Sequence, residues 1–542
     1  MIKYRPDVDG LRALAIIPVV LYHTDVPGVS GGYVGVDVFF VISGYLIGSI
    51  ILSDIDAGRF SILRFYERRV RRILPALLVV LAATTLAAWA IMLPIEFARY
   101  PPSLAATVLF ASNMLFWSRA GYFAAPAETE PLLHTWSIAI EEQFYLFVPG
   151  LLILLCRFAP RHLGRWLPAL ALLSFLLCVA LTRFRPEAAF YLLPTRAWEL
   201  FVGLWLAAIP AAKVPQRGAT TLAWSGLVAV AASVATFSPA TPFPGYAALL
   251  PVAGTALILR FAPGTPVARA LGWGPLVFIG LISYSLYLWH WPLIAFGRIL
   301  GVLDASALAK AAVIGLSFVI AIPSWYLIER PFREKRRIGR RRVFGFAAAG
   351  SAILLTVGFA THALDGWPQR FPARAVAMDR GRMDFSPYRA ACHREAGLTP
   401  IAHSCTLGRG RASVAVWGDS HGVELSAALT EAGRSVLTVT YSACPPALGF
   451  ESPTSPQCDE HNLAALRFFE TQPEIDTIIL TAKWERWGSW PGFNPGMEAV
   501  IRRLQRAGKN VLVIGPVPKQ RHLSEALGDP GPEGDGEKRR QA

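Results

Sequence analysis

Gly10 to Tyr22 reads GLRALAIIPVVLY, an apolar run suited to a lipid bilayer that nevertheless carries Arg12 and closes on His23. An ionisable side chain at bilayer depth costs roughly 3 kcal/mol or more, so it persists where it is paired, wet or functional. At about 1.5 Å rise per residue, the eleven-residue step puts roughly 16 Å of helix between the two Cα atoms. About half a bilayer therefore separates a cation near one face from a proton-transfer group nearer the other. Chemistry is a better first reading of the pair than packing.

The rest of the chain supplies the setting. Of 542 residues, 54% are hydrophobic and 16% charged, and the mean hydropathy is +0.42, well away from a soluble globular protein. Apolar runs recur at about 11–28, 33–52, 73–93, 101–118, 137–156, 166–183, 189–209, 221–238, 243–260, 276–297, 308–328 and 343–363. Each approaches the ~20 residues of a spanning helix, and the first is too closely followed by others to read as a cleaved signal peptide.

Lys and Arg orient the bundle. Arg59, Arg64, Arg68, Arg69, Arg71 and Arg72 crowd the loop at 59–72, and a second basic run fills 330–342. Both belong in the cytoplasm under the positive-inside bias, together with the N-terminus and the smaller basic loops at 157–165 and 211–217. The net charge of +15 thus marks topology and does not call for a nucleic acid partner. Keeping 59–72 and 157–165 on one side requires one run between them not to cross. We expect this to be 101–118, which opens on Pro101-Pro102 and is interrupted by Ser112, Asn113 and Ser118. About eleven crossings result, leaving the C-terminal third outside.

The cysteines agree with that side. Cys156 and Cys178 lie in or beside membrane runs, whereas Cys392, Cys405, Cys444 and Cys458 all fall in the polar C-terminal third. An even number at short separations suits an oxidising compartment. Cys392 with Cys405 and Cys444 with Cys458 is the expected pairing, among three possible connectivities. No C-x-x-C pair occurs, so zinc or dithiol redox chemistry has little support and no metal is expected.

Beyond a polar stretch at 365–412, strand and helix patterns alternate: ASVAVWG (412–418), HGVELSAALTEAG (421–433), RSVLTVTY (434–441), a helix near 460–471, DTIILTA (476–482), a helix near 496–507 and NVLVIGPV (510–517). This order predicts a three-layer α/β domain on a parallel sheet. Active groups of such sheets sit at the carboxyl ends of strands. Ser420, in Gly418-Asp419-Ser420-His421, occupies that place, where a helix N-terminus and backbone N–H groups can stabilise an oxyanion. A plain helix cap by Asp419 or Ser420 fits the same spacing.

Taken together, DGLRALAIIPVVLYH (9–23), GYVGVDVFFVISGYLI (32–47), FYERRVRRILPAL (65–77), LLHTWSIAIEEQFYLFVP (132–149), LPTRAWEL (193–200), SYSLYLWHWP (283–292) and YLIERPF (326–332) resemble the integral-membrane acyltransferase family 3, the type that O-acetylates surface polysaccharides. VWGDSHG (416–422) resembles the SGNH esterase-like domain often fused to it. The resemblance implies an acyltransferase domain over 1–340, an additional transmembrane helix at 341–364, a periplasmic linker at 365–412 and an SGNH-like, flavodoxin-like domain at 413–542. It implies a bacterial cytoplasmic-membrane enzyme that takes an acyl group, acetyl above all, from acetyl-CoA, with no permanently bound cofactor. The acceptor would be a hydroxyl of an extracytoplasmic glycan such as O-antigen or another lipopolysaccharide element, possession of a lipid link being compatible with it.

Residue by residue, Arg12 and His23 match the family's R-x10-H motif, the acyl-handling centre. Histidine suits that task because its ordinary pKa near 6.5 lets it accept and return a proton. Arg68, Arg69, Arg71 and Arg72 contain the family's R-x-x-R twice, and guanidinium groups bind the phosphates of a CoA donor bidentately; a positive-inside anchor would use the same residues. Glu141, Glu142, Arg196, Glu199, His290 and Asp37 add ionisable groups within apolar runs that either orient His23 and line an acyl path or form buried structural pairs. Ser420 with Asp419 would be the later carrier.

Two departures stand out in the SGNH-like part. Its third core strand ends in Thr481-Ala482-Lys483-Trp484 where the family has a Gly-x-Asn-Asp block, and Lys519 stands three residues before His522 where D-x-x-H is the pattern. With the low-complexity tail GDPGPEGDGEKRRQA, the domain is expected to be incomplete and Ser420 to lack a positioned base. A transporter without acyl chemistry and a tethered periplasmic esterase are the alternatives.

Overall fold

The computed structural model describes residues 4–120, 127–210, 214–303, 305–334, 337–381, 384–395, 397–452, 455–488, 490 and 492–515. They divide into two units, separating between Val376 and Ala377. Lys519 and His522 lie outside the described residues.

The N-terminal unit is all helical. In chain order it comprises α1 Pro6–His23, α2 Gly35–Asp56, α3 Ile62–Ile91, α4 Pro94–Val108, α5 Ser112–Arg119, α6 Thr135–Phe158, α7 Leu163–Phe184, α8 Pro186–Tyr191, α9 Leu193–Ala208, α10 Gln216–Thr236, α11 Leu249–Phe261, α12 Pro266–Leu271, α13 Gly274–Ile299, α14 Ala307–Ser324, α15 Arg330–Arg333 and α16 Arg340–Ala363. Eight of the described helical segments are long and apolar enough to cross a membrane. The chain is a multi-pass membrane protein. Three expected spans depart from that pattern. α1 carries Asp7, Asp9 and Arg12 within 18 residues, α9 has 16 residues and α11 has 13. The run at 101–118 is divided between α4, of 15 residues, and α5, of eight, each shorter than the ~20 residues needed to span alone.

Small residues let the central helices meet backbone to backbone. A Cβ on Gly280 of α13 would collide with the Asp9 carbonyl of α1, and one on Gly44 of α2 with the Leu200 carbonyl of α9. Such close approach is how helices associate where lipid removes the hydrophobic drive. Ile16, Val20, Leu77, Leu81 and Leu286 form one packed interior where α1, α3 and α13 meet. Leu173, Leu176, Phe184, Leu308, Val319 and Phe359 stay exposed on the periphery, the faces suited to acyl chains.

One irregularity is placed with consequence. After α14 the helix widens into a π turn over Trp325–Glu329, just ahead of Pro331, which has no N–H for the regular ladder. The turn buries Glu329 against Ser285, whose hydroxyl donates to it at 3.1 Å.

The C-terminal unit is built on a six-stranded sheet. Its strands are β1 His393–Arg394, β2 Cys405–Leu407, β3 Val414–Gly418, β4 Val436–Tyr441, β5 Thr477–Thr481 and β6 Asn510–Val513. The order is β1-β4-β3-β5-β6, parallel throughout, and β2 runs antiparallel along the lower part of β4. Helices Gly422–Glu431, Cys458–Thr471 and Phe493–Arg506 alternate with the strands. Trp417, Leu466, Phe469, Leu480, Val500 and Leu504 fill one side of the sheet.

The linker expected at 365–412 is therefore shorter than its composition suggests. Two strands of two and three residues lie inside it, both docked on the same edge of β4, and the Cys392–Cys405 disulfide ties them together. Strands this short carry no readable alternation of polar and apolar residues. A second disulfide, Cys444–Cys458, joins the loop after β4 to the helix that follows. Cys156 and Cys178 are free thiols.

Candidate active site

Arg12 and His23, eleven residues apart on α1, open onto two different cavities. Arg12 lines the smaller, of about 80 Å³, together with Ser43, Arg69, Arg72, Glu141 and Tyr145. His23 lines the larger, of about 510 Å³, with Asp37, His134, Trp136, Arg196 and Arg298. Val36 and Tyr287 belong to both walls. Tyr287 is held as a partition: its hydroxyl donates to the His134 carbonyl at 2.8 Å and lies 2.7 Å from Ser137 Oγ.

The four clustered arginines on α3 divide by helical phase. Arg69 and Arg72, at i and i+3, share one face and reach the small cavity. The Arg69 guanidinium stands 5.6 Å from the Tyr145 ring centre, and its Nε has no hydrogen-bond partner among the described residues. Arg68 pairs instead with Asp54 at 3.1 Å. Arg71 is buried on Glu67 at 2.9 Å and donates to the carbonyls of Phe332 and Ile338 at 3.2 and 2.7 Å. Of the donor-binding group expected from sequence, Arg68 and Arg71 are thus occupied elsewhere, by Asp54 and by Glu67 with two carbonyls respectively.

Glu141 accepts from Ser43 Oγ at 2.9 Å and from the Tyr145 hydroxyl at 3.1 Å. Glu142 Oε1 is buried with no partner among the described residues. Arg12 pairs with Asp9 at 3.2 Å, and Glu329 pairs with Arg333 at 3.2 Å.

At the other cavity, His23 Nδ1 lies 3.2 Å from His290 Nε2, and His290 Nδ1 lies 2.6 Å from the Tyr287 carbonyl. A carbonyl only accepts, so His290 carries its proton on Nδ1 and offers Nε2 as an acceptor. In the neutral pair, His23 then donates from Nδ1, which leaves its Nε2 lone pair bare. That is the form of a general base. Trp291 packs edge-on against the His23 ring at 4.7 Å, and Arg298 caps the end of α1 by donating to the His23 carbonyl at 3.0 Å. His134 completes the cluster, with its ring centre 5.9 Å from that of His290 and neither ring nitrogen hydrogen-bonded among the described residues. Sequence reasoning passed over His134 although it stands in the LLHTWSIAIEEQ stretch; an imidazole within an apolar run was the available signal.

Arg196 is fully buried between Asp37 at 3.0 Å and Glu199 at 3.1 Å, ringed by Phe40, Trp136, Phe190 and Phe243 at 5.4–5.9 Å. Asp37 and Arg196 face the large cavity, and Glu199 backs them.

In the C-terminal unit, Ser420 stands at the end of β3, ahead of the Gly422–Glu431 helix. The Asp419 carboxylate is taken up by backbone and indole donors. Its Oδ1 accepts from the His421 N–H at 3.0 Å, and its Oδ2 accepts from the Lys483 N–H at 2.8 Å and Trp487 Nε1 at 3.2 Å. The carboxylate pins the β3 turn to the β5 turn. No imidazole is hydrogen-bonded to Ser420 Oγ among the described residues. His393, two strands away on β1, is engaged with Thr440 Oγ1 at 3.0 Å and Ser442 Oγ at 2.9 Å. Burial pushes the pKa values of His393 and His461 down to about 4, so both are neutral at pH 7.

Comparison with known proteins agrees with this two-unit picture. The model of an acyltransferase domain matches residues 5–330, more than half the chain. The chain belongs to the integral-membrane acyltransferase family 3. Residues 391–541 match the SGNH domain that is fused to such membrane domains. Among relatives, BcsY of Komagataeibacter xylinus, named for a membrane-bound transacylase, is 35% identical over 331 residues, covering 60% of this chain and 82% of that protein. The peptidoglycan O-acetyltransferase OatA of Listeria monocytogenes is 31% identical over 351 residues, 61% of this chain and 56% of its own length. The O-acetyltransferase OatA of Staphylococcus aureus is 33% identical over 350 residues, 61% and 58% respectively. The matched part thus spans little more than half of either OatA protein. No solved structure matches the chain at significance.

Proposed function

We propose that this acyltransferase carries an acyl group, acetyl in the simplest case, from cytoplasmic acetyl-CoA to a hydroxyl of an extracytoplasmic glycan. The observation that carries the reading is the pair of cavities meeting at Tyr287 and Val36, one lined by guanidinium groups and the other by a histidine with a bare Nε2. Arg69 and Arg72 suit the phosphates of the donor. With the thioester carbonyl at the partition, the acceptor oxygen attacks the acyl carbon and its proton passes to His23 Nε2. The C–S bond breaks, and the imidazolium returns the proton to the departing thiolate. His290 keeps His23 in the competent tautomer throughout. Ser420 is a second acceptor hydroxyl, for a later transfer. The names of the relatives favour an O-acetyl group and, for one of them, peptidoglycan as acceptor, beside the lipopolysaccharide implied by the family resemblance.

Two measurements test this. Mass spectrometry of surface glycans should find ester-linked acyl groups in cells carrying the gene and none in cells without it; identical spectra would refute the transfer. The basic loops and the two disulfides support opposite sides of the membrane for the two units. A reporter fused after Ser413 should therefore be active only outside the cytoplasm and one after Arg337 only inside. Activity of both on one side would overturn the eleven-crossing topology.

A further inference from the structure

The large cavity contains more recognition chemistry than proton transfer requires. Its volume, about 510 Å³, falls within the roughly 300–1,000 Å³ of small-molecule sites. Trp136, Phe190, Tyr191 and Phe243 give it flat apolar walls, and Trp291 lies beside His23. Beside the two His134 ring nitrogens, buried polar atoms on Arg196 and Asp37 are left over at this cavity. Arg196 Nη1 has no acceptor and Asp37 Oδ2 has no donor among the described residues, although both side chains are about 1% exposed. Orphaned groups at such depth cost free energy unless something supplies the missing partner. One hydroxyl answers both, since its oxygen accepts from a guanidinium while its proton goes to a carboxylate.

The charge of the cavity narrows the ligand further. Its lining cations, Arg196 and Arg298, are each already held by two carboxylates: Asp37 and Glu199 for the first, Asp25 and Glu128, both at 2.9 Å, for the second. The charge of each lining guanidinium is already balanced, although Arg196 Nη1 keeps a free N–H, and the lining carboxylates outnumber the cations. Burying a further negative charge there without a partner is strongly unfavourable.

We infer that this cavity is the acceptor subsite and that it takes an uncharged, hydroxyl-bearing ring, a neutral pyranose. Arg196 and Asp37 grip one hydroxyl, the aromatic walls pack on the ring's C–H faces, and a second hydroxyl is presented to His23. The inference rests on the acyl-transfer reading and adds a location and a selectivity to it: sugars bearing carboxylate or phosphate on the ring are excluded. Asp37 and Arg196 become specificity-determining residues, with no proton transfer of their own.

The test needs no donor. Saturation-transfer NMR on the full chain in lipid nanodiscs would use the methyl glycosides of glucose, galactose and N-acetylglucosamine against methyl glucuronide. At least one neutral glycoside should show saturation transfer at least fivefold above that of the glucuronide. Phe190→Ala should reduce the neutral signal at least fivefold with an unchanged melting temperature. Asp37→Asn, which keeps an acceptor oxygen but removes the charge, should narrow the neutral-to-anionic preference at least fivefold. If Asp37→Asn does not fold, Phe190→Ala and the wild-type preference decide the matter. Absence of binding by every neutral glycoside, equal binding of the glucuronide, or indifference to Phe190→Ala would overturn the inference. Sugar binding without glycan acylation in cells would sink the transfer reading alone, and glycan acylation without sugar binding would sink this one alone.

Discussion

His23→Ala abolishes glycan acylation, by about 10²–10⁴-fold, the usual span of a general base, while the protein accumulates and melts normally. The fold tolerates the change because His23 is half-buried at the end of α1 and faces a cavity. Truncation there enlarges a space that already exists and opens no void in packed core. Arg12→Ala should lower acylation comparably through the other cavity. The partner histidine sharpens the test. His290→Leu removes the acceptor that holds the His23 Nδ1–H, so His23 loses its tautomer preference and acylation falls. His290→Gln supplies an amide oxygen at the same place and recovers part of the rate. A merely structural role for His290 predicts no such rescue. Normal acylation by His23→Ala at equal expression would remove the proton-transfer role altogether.

The arginines of α3 respond in two distinct ways. Arg69→Lys and Arg72→Lys raise the KM for acetyl-CoA about tenfold or more with little change in melting temperature, because lysine keeps the charge but loses the bidentate fork. Arg71→Ala acts on stability. It strands Glu67 in a buried site and frees two carbonyls, at a cost of about 3–5 kcal/mol. Arg340, 2.8 Å from Glu67, offsets part of that loss. Arg68→Ala, on a partly exposed pair, costs no more than about 1 kcal/mol. Purified variants in detergent, compared by thermal melts and by donor titration, separate the two pairs. Equal effects of all four substitutions on KM would mean that the cluster acts as a diffuse field and not through two aimed side chains.

That division was only half visible in the sequence. The tandem R-x-x-R spacing groups Arg69 with Arg72 and Arg68 with Arg71, since three residues nearly complete a helical turn. It does not say which pair turns inward, because both candidate faces are basic. The same limit applies to Asp419: its position after a strand suggests chemistry or capping equally, and the Lys483 and Trp487 donors that it accepts from come from another turn of the sheet. The short strands β1 and β2 were illegible for a different reason, since two or three residues cannot display a period of two.

What the sequence determined by itself is what depends on near neighbours: apolar runs long enough to be helices in lipid, basic loops that orient them, and strands alternating with helices at the C-terminal end. Each follows from hydropathy or backbone preference summed over a window of a few turns. What only the tertiary structure decided is which polar group meets which. His23 takes its tautomer from His290, 267 residues away, Arg196 finds Asp37 across 159, and Arg71 reaches the Ile338 carbonyl across 267. The reason is physical: ionisable groups persist at bilayer depth where they are paired, wet or functional, and their pairings are assembled from whichever helices the close backbone contacts bring together, an outcome of packing the whole bundle that no local window contains.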